Sequence, residues 1–283
     1  MQFCRATTLD EAVQARADWG DDGRLLAGGT ELMMQFLHGE VTPGALIHIE
    51  RIASLSNVST DGRTSLGALT THRTMATTDR LIERHPALAR AAATVGGWQT
   101  QTKGTVGGNI CNASPAADTV PPLLVGDAHV TLVSAAGERR LPLGDFILGR
   151  RSTALAADEL LTAVDLEPLP EGAAEVYLKL GRRGAMEVAL VGLAVRLGFS
   201  DDGVVSYARV AVCSLGPVPR RVPDAENALI GSSLTPDALE EAGGALLAAA
   251  APIDDARTSA NYRRRTLRGL LERATTHCQE EAR

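Results

Sequence analysis

The chain has 283 residues, 45% of them hydrophobic and 22% charged, with a formal net charge of −6. That length suits two domains or one core of two lobes, and the acidic balance gives no bulk attraction for nucleic acid or an anionic membrane. Aromatic residues are only 3%, so the core must rest on Ala, Val and Leu, and the stacking platforms of single-strand binders are missing.

Thr8-Leu9-Asp10-Glu11 reads as a capping box that opens a helix with Leu9, Ala12 and Val13 facing inward. Residues 24–27 read as a short buried strand, a second helix begins at Thr30, and residues 45–49 form another strand. This β-α-β-like unit of about 50 residues carries Ala27-Gly28-Gly29-Thr30-Glu31 at its strand-to-helix junction, where anion sites form.

Asp61-Gly62 marks a hairpin turn between Val58 and Leu66. Residues 74–93 read as mostly helical with an interruption at Pro86. A second glycine segment follows, Thr105-Val106-Gly107-Gly108-Asn109, and runs on to Ser114-Pro115-Ala116-Ala117-Asp118. Ser114 and Pro115 suit an N-cap and first helical position, predicting a helix from Pro115 towards Val125 with Asp118 in its first turn. Strands at 128–133 and 139–143 flank the turn at Ala136-Gly137.

Pro168-Leu169-Pro170-Glu171-Gly172 reads as a linker into a second domain. Strands at 188–199 and 204–215 are joined at Asp201-Asp202-Gly203, and helices follow at 236–250 and 259–274. Strands followed by helices predict an α+β C-terminal domain.

The two glycine segments are the main chemical signal. Paired glycines let the backbone bend sharply and bring N–H groups to a ligand without Cβ interference. A helix start adds unsatisfied N–H groups that suit phosphate. Two such loops can grip one pyrophosphate from both sides, which makes a dinucleotide the first ligand to consider. Neither the Rossmann G-x-G-x-x-G nor the P-loop fingerprint occurs. No H-E-x-x-H, clustered carboxylate pair or G-x-S-x-G elbow appears either. Chemistry would then be supplied by a bound cofactor. Cys4, Cys111, Cys213 and Cys278 are scattered without a C-x-x-C pair, against an iron–sulfur cluster, zinc ribbon or disulfide framework on this chain. Reduced thiols, the lack of an apolar leader and the lack of a run of about 18 apolar residues predict a cytoplasmic protein with no membrane span.

Leu25-Leu26-Ala27-Gly28-Gly29-Thr30-Glu31-Leu32 resembles the first flavin loop of the FAD-binding medium subunits of molybdenum hydroxylases, the family of carbon monoxide and xanthine dehydrogenases. Lys103-Gly104-Thr105-Val106-Gly107-Gly108-Asn109-Ile110 through Ser114-Pro115-Ala116-Ala117-Asp118 is similar to their second loop. The resemblance continues through Tyr177-Leu178-Lys179 with Arg182-Arg183, and Ala260-Asn261-Tyr262-Arg263-Arg264, and so covers nearly the whole chain. It implies an α+β fold. Residues 1–172 would form a two-lobed FAD-binding domain of the vanillyl-alcohol-oxidase (PCMH) type, with lobes of about 1–56 and 57–172. Residues 173–283 would form the C-terminal domain of such a medium subunit, a small antiparallel sheet with helices.

The resemblance also implies roles. Gly28, Gly29 and Thr30, flanked by Ala27 and Glu31, would meet the FAD pyrophosphate. Thr105, Gly107, Gly108 and Asn109 would close over the pyrophosphate and ribityl region. Asp118 would accept a hydrogen bond from a ribose or adenine group, against a plain capping role. Leu161 would make an apolar backbone contact with the adenine or flavin ring, or is strand core. Lys179 would place a positive charge near the isoalloxazine. His72 reads as a surface or core histidine rather than a proton donor. Two departures stand out: Cys111 replaces an aliphatic or small residue, and Trp98-Gln99-Thr100-Gln101-Thr102 replaces a stretch with arginine and asparagine.

The implied function is electron transfer. A large partner subunit would hold molybdopterin and a small one two [2Fe–2S] clusters, in a dimer of heterotrimers, with NAD, O2 or a quinone as acceptor. Two alternatives stay open: a stand-alone FAD oxidoreductase acting directly on a small molecule, and a non-redox protein that binds another phosphate ligand.

Overall fold

A computed structural model describes residues 1–282. The N-terminal lobe is built from β1 (Gln2–Arg5), α1 (Leu9–Trp19), β2 (Gly23–Leu26), α2 (Leu32–Leu37) and β3 (Ala45–His48). The capping box forms: the Thr8 hydroxyl accepts from the Glu11 N–H at 3.2 Å and the Glu11 carboxylate receives the Thr8 N–H. All pairing in the three-stranded sheet is parallel, in the order β1-β3-β2. β1 had no sequence signal, because Gln2, Phe3 and Arg5 are exposed and show no alternation.

The second lobe opens with β4 (Val58–Ser59) and β5 (Thr64–Gly67), a hairpin whose turn places Gly62 at φ +77°. Five short helices follow: α3 (His72–Thr77), α4 (Asp79–Arg84), α5 (Pro86–Ala93), α6 (Trp98–Lys103) and α7 (Val106–Cys111). Pro86 therefore starts a helix rather than merely breaking one. The second glycine segment, expected as a loop, is itself α7, because the Thr105 hydroxyl accepts from the Gly108 N–H at 3.0 Å and caps the turn.

Next comes α8 (Val120–Val125), which starts at Val120 and not at Pro115. Pro121 and Pro122 lack the N–H groups of a helix interior, so they must occupy a first turn. Residues 115–119 make turns, and Asp118 precedes the helix instead of lying in it. The lobe is completed by β6 (His129–Ser134), β7 (Gly137–Pro142), α9 (Leu143–Phe146), the hairpin β8 (Ile147–Gly149) and β9 (Ser152–Thr153), and β10 (Leu160–Leu166). Its main sheet is antiparallel, ordered β4-β5-β10-β6-β7.

The C-terminal part holds β11 (Ala173–Leu180), β12 (Val191–Phe199), β13 (Val205–Cys213) and β14 (Arg220–Arg221) in one antiparallel sheet. Helices α10 (Pro223–Leu229), α11 (Pro236–Ala249) and α12 (Ala260–Glu281) cover its far face with Leu229, Leu246, Leu267 and Leu271. The near face gives Tyr177, Ala194 and Ala211 to the core of the second lobe. β11 is the seam: Glu175 holds Arg196 in a fully buried pair at 2.7 Å and accepts the Ala87 N–H at the start of α5.

Candidate functional site

The first glycine segment leaves β2 and enters α2 with Gly29 at φ +69°, a conformation that favours glycine. The N–H groups of Gly28, Gly29, Thr30, Glu31 and Leu32 donate to no acceptor among the described residues. Ala27, Gly28 and Gly29 are half-buried, whereas Thr30 and Glu31 are exposed. Main-chain donors without partners, on a segment reachable by solvent, fit an anion such as a pyrophosphate.

Gly28 packs on the main chain of Lys103, one residue before the Gly104-Thr105 entry to α7, and a methyl group there would fall on the Lys103 carbonyl. The glycine segments, far apart in sequence, are therefore in direct contact. Gln35 of α2 reinforces the contact by donating to the Asn112 side chain at 3.3 Å.

The second segment does something different. Its Val106 N–H donates to the Thr70 carbonyl, Gly107 to Ala68, Gly108 to the Thr105 hydroxyl and Asn109 to the Thr105 carbonyl. Gly107 is a packing glycine: a methyl there would lie 2.8 Å from both Cβ and carbonyl oxygen of Ala68. Gly108 is exposed and offers a surface without a side chain. Asn109 accepts from the Thr119 hydroxyl at 2.7 Å, and its amide Nδ2 makes no hydrogen bond among the described residues. Leu161 is 4% exposed in β10, next to Thr162, whose carbonyl accepts the Ala68 N–H. It thus sits behind the second segment.

Asp118 and Lys179 form an ion pair at 2.8 Å, and Lys179 also donates to the Thr94 carbonyl at 2.9 Å. Burial raises the Asp118 carboxyl above its ordinary range, opposed by Lys179 and by Tyr177. The Tyr177 hydroxyl donates to the other Asp118 oxygen at 2.6 Å.

His72 is buried against Gly104, and burial lowers it to about 4, so its ring is neutral near pH 7. Cys111 packs against the core of the second lobe, and burial pushes its thiol up to about 12. It is a thiol and not a thiolate at neutral pH, and so a poor nucleophile. Trp98 is exposed with the Arg73 guanidinium 4.1 Å from its ring centroid.

Arg151 was missed by sequence reasoning. It sits at φ +56° at the tip of the β8–β9 hairpin, where its N–H donates to Ala113 and its guanidinium reaches Glu31 at 3.3 Å and Glu40 at 2.6 Å. It straps α2 to the segment after α7, a long-range contact that leaves no local pattern. Tyr177 gave no separate signal either, although a buried tyrosine needs a partner for its hydroxyl.

No helix among the described residues is long and apolar enough to cross a membrane.

Comparison with known proteins matches residues 1–169 to the FAD binding domain in molybdopterin dehydrogenase and residues 176–278 to the CO dehydrogenase flavoprotein C-terminal domain. The 6-hydroxypseudooxynicotine dehydrogenase complex subunit alpha of Paenarthrobacter nicotinovorans is 31% identical, over 98% of this chain and 94% of that one. The xanthine dehydrogenase FAD-binding subunit of Escherichia coli O157:H7 is 32% identical, over 92% and 90%. A solved structure of carbon monoxide dehydrogenase from Hydrogenophaga pseudoflava superposes with a TM-score of 0.94 at 29% identity, covering 98% of this chain and 96% of that one.

Proposed function

The chain belongs to the FAD-binding medium subunits of the molybdenum hydroxylases, and we propose that it relays electrons for a reaction carried out on a partner subunit. When bound, FAD supplies one- and two-electron transfer, here between [2Fe–2S] clusters of a small subunit, fed by a molybdopterin on a large one, and an acceptor such as NAD, O2 or a quinone. The chain's own residues bind the cofactor, orient it and set the charge around it.

Gly28, Gly29 and Thr30, with Ala27 and Glu31 beside them, hold the pyrophosphate through the unpartnered N–H groups. Thr105, Gly107, Gly108 and Asn109 form the opposite wall: Gly107 seats it on Ala68, Gly108 lets the ligand approach, and Asn109 offers its amide. Leu161 anchors the wall from the core with its side chain and meets a ring through its main chain. Asp118 receives a ribose or adenine group, and Lys179 brings positive charge to the flavin, where it favours the reduced form. Residues 1–172 and 173–283 act as cofactor domain and C-terminal domain, in a cytoplasmic dimer of heterotrimers.

The observation that supports this reading is the run of free N–H groups from Gly28 to Leu32 beside the contact of Gly28 with Lys103. The purified chain should show flavin bands in its visible spectrum or take up FAD on titration; the absence of both would sink the flavoprotein reading. Pull-down from the native source should bring a molybdopterin subunit and an iron–sulfur subunit. An isolated yellow protein that turns over a substrate alone would overturn the relay role.

A further inference from the structure

We propose that Tyr177 is a positioning residue whose hydroxyl keeps Asp118 as the counter-charge of Lys179, and so sets how much positive charge the flavin feels. The inference rests on the reading that Lys179 faces the flavin.

Tyr177 and Lys179 are two apart on β11 and so share one face of the strand. Each takes one oxygen of the same carboxylate: the Tyr177 hydroxyl donates to Asp118 Oδ1 at 2.6 Å and Lys179 Nζ to Oδ2 at 2.8 Å. Tyr177 is 1% exposed, in the core shared by the second lobe and the C-terminal sheet. Room for its hydroxyl comes from Gly192, which pairs with Lys179 on one side and Cys213 on the other. A methyl on Gly192 would lie 2.5 Å from the Tyr177 hydroxyl oxygen and would also strike Cys213 Sγ. Three adjacent strands thus make a slot that aims one phenol at one carboxylate. The ionisable groups facing Asp118 are Tyr177 and Lys179 from β11, with Cys213 of β13 behind at 3.8 Å from the phenol.

The consequence has a definite sign. Asp118 lies in a site where burial favours its neutral form, and a donated hydrogen bond favours the carboxylate. Without the hydroxyl Asp118 takes a proton at higher pH, and the Lys179 charge is no longer offset. A more positive site stabilises the electron-rich flavin, and its potential rises. Removing Lys179 lowers the potential, except in the pH window where the unpaired Asp118 takes a proton that the wild-type carboxylate does not and the net charge is unchanged.

The test measures the flavin midpoint potential against pH in the FAD-loaded full chain for wild type, Tyr177→Phe and Lys179→Met. Tyr177→Phe should raise the potential inside a bounded pH window and match wild type on either side of it. Lys179→Met should lower it at the alkaline and acid ends of the range, where Asp118 has the same protonation state in both proteins. Gly192→Ala, which displaces the hydroxyl without deleting it, should shift the potential in the same direction as Tyr177→Phe and stands in if that variant fails to hold FAD. If Lys179→Met lowers the potential while neither slot variant raises it, or the rise is the same at every pH, Tyr177 only packs the core and the inference falls. If none of the three moves it, Lys179 does not face the flavin and both readings fall together.

Discussion

Gly28 rests its Cα on the Lys103 carbonyl, leaving no room for a side chain between the two glycine segments. The relationship is one of main chain to main chain, so no rotamer change can relieve a substitution. Gly28→Ala must part the two segments, at about 1–3 kcal/mol typical of overpacking. The expected result is a tenfold or greater loss of FAD affinity, at about 1.4 kcal/mol per tenfold. Fluorescence titration of the apo chain would measure it, and unchanged affinity would show that the contact does not shape the cradle.

The adjacent glycines of α7 should behave differently from each other. Gly107→Ala drives a methyl into Ala68, so it should cost about 1–3 kcal/mol of stability and lower the melting temperature even without ligand. Gly108 is exposed, and a methyl there meets only the Thr105 hydroxyl at 3.0 Å. Gly108→Ala should leave the apo melting temperature close to wild type, while Gly108→Val, whose bulk lies on the ligand side, should abolish FAD uptake. Equal melting losses for Gly107→Ala and Gly108→Ala would contradict this division of labour.

Where local chemistry decides the structure, it was legible in advance. Thr8 and Glu11 fix a helix start between them, and Asp61-Gly62 and Asp201-Asp202-Gly203 make the tight turns that join their strands. Pro121-Pro122 also carried the true start of α8, but the Ser114-Pro115 signal upstream competes with it, and both are sound capping patterns. Which one wins depends on Asp118, drawn out of helical geometry towards Tyr177 and Lys179 some 60 positions later. The glycine segments were recognisable by composition. Their different uses, free donors in one and internal bonds in the other, depend on Ala68 and Thr70, which only the fold brings alongside.

Glu175 and Arg196 are each almost fully enclosed, 2.7 Å apart, with Glu175 also bonded to the start of α5. Removing one member of such a pair strands the other charge away from water, at about 3–5 kcal/mol. Arg196→Met should therefore lower the unfolding midpoint sharply, whereas the double variant Arg196→Met/Glu175→Leu should recover much of the loss. Urea denaturation of the four proteins in that cycle would measure the coupling, and simple additivity would show that the pair is not an energetic unit.

Two histidines should make the fold sensitive to mild acid. Burial lowers His72 to about 4 and His85 to about 3, the latter helped by Arg196 and Arg84, and His85 Nε2 lies 2.8 Å from the Thr64 hydroxyl. Both stay neutral in the native state while their unfolded counterparts protonate near the ordinary value of 6.5. The unfolded chain then binds more protons than the folded one. The stability is present above pH 6.5 and is lost as pH falls towards 4 for His72 and 3 for His85. Each contributes a slope of at most about 1.4 kcal/mol per pH unit. Asp118 and Glu175, raised by burial, act in the opposite sense and partly mask the decline. Comparing variants isolates the effect: His85→Gln removes one proton uptake, so its urea midpoint should fall less steeply than wild type between pH 6.5 and 4. Because His72 packs on Gly104 at the entry to α7, its protonation should also release FAD before the chain unfolds. Flavin fluorescence that rises at a higher pH than the loss of helical circular dichroism would be the signature, and coincident transitions would exclude it.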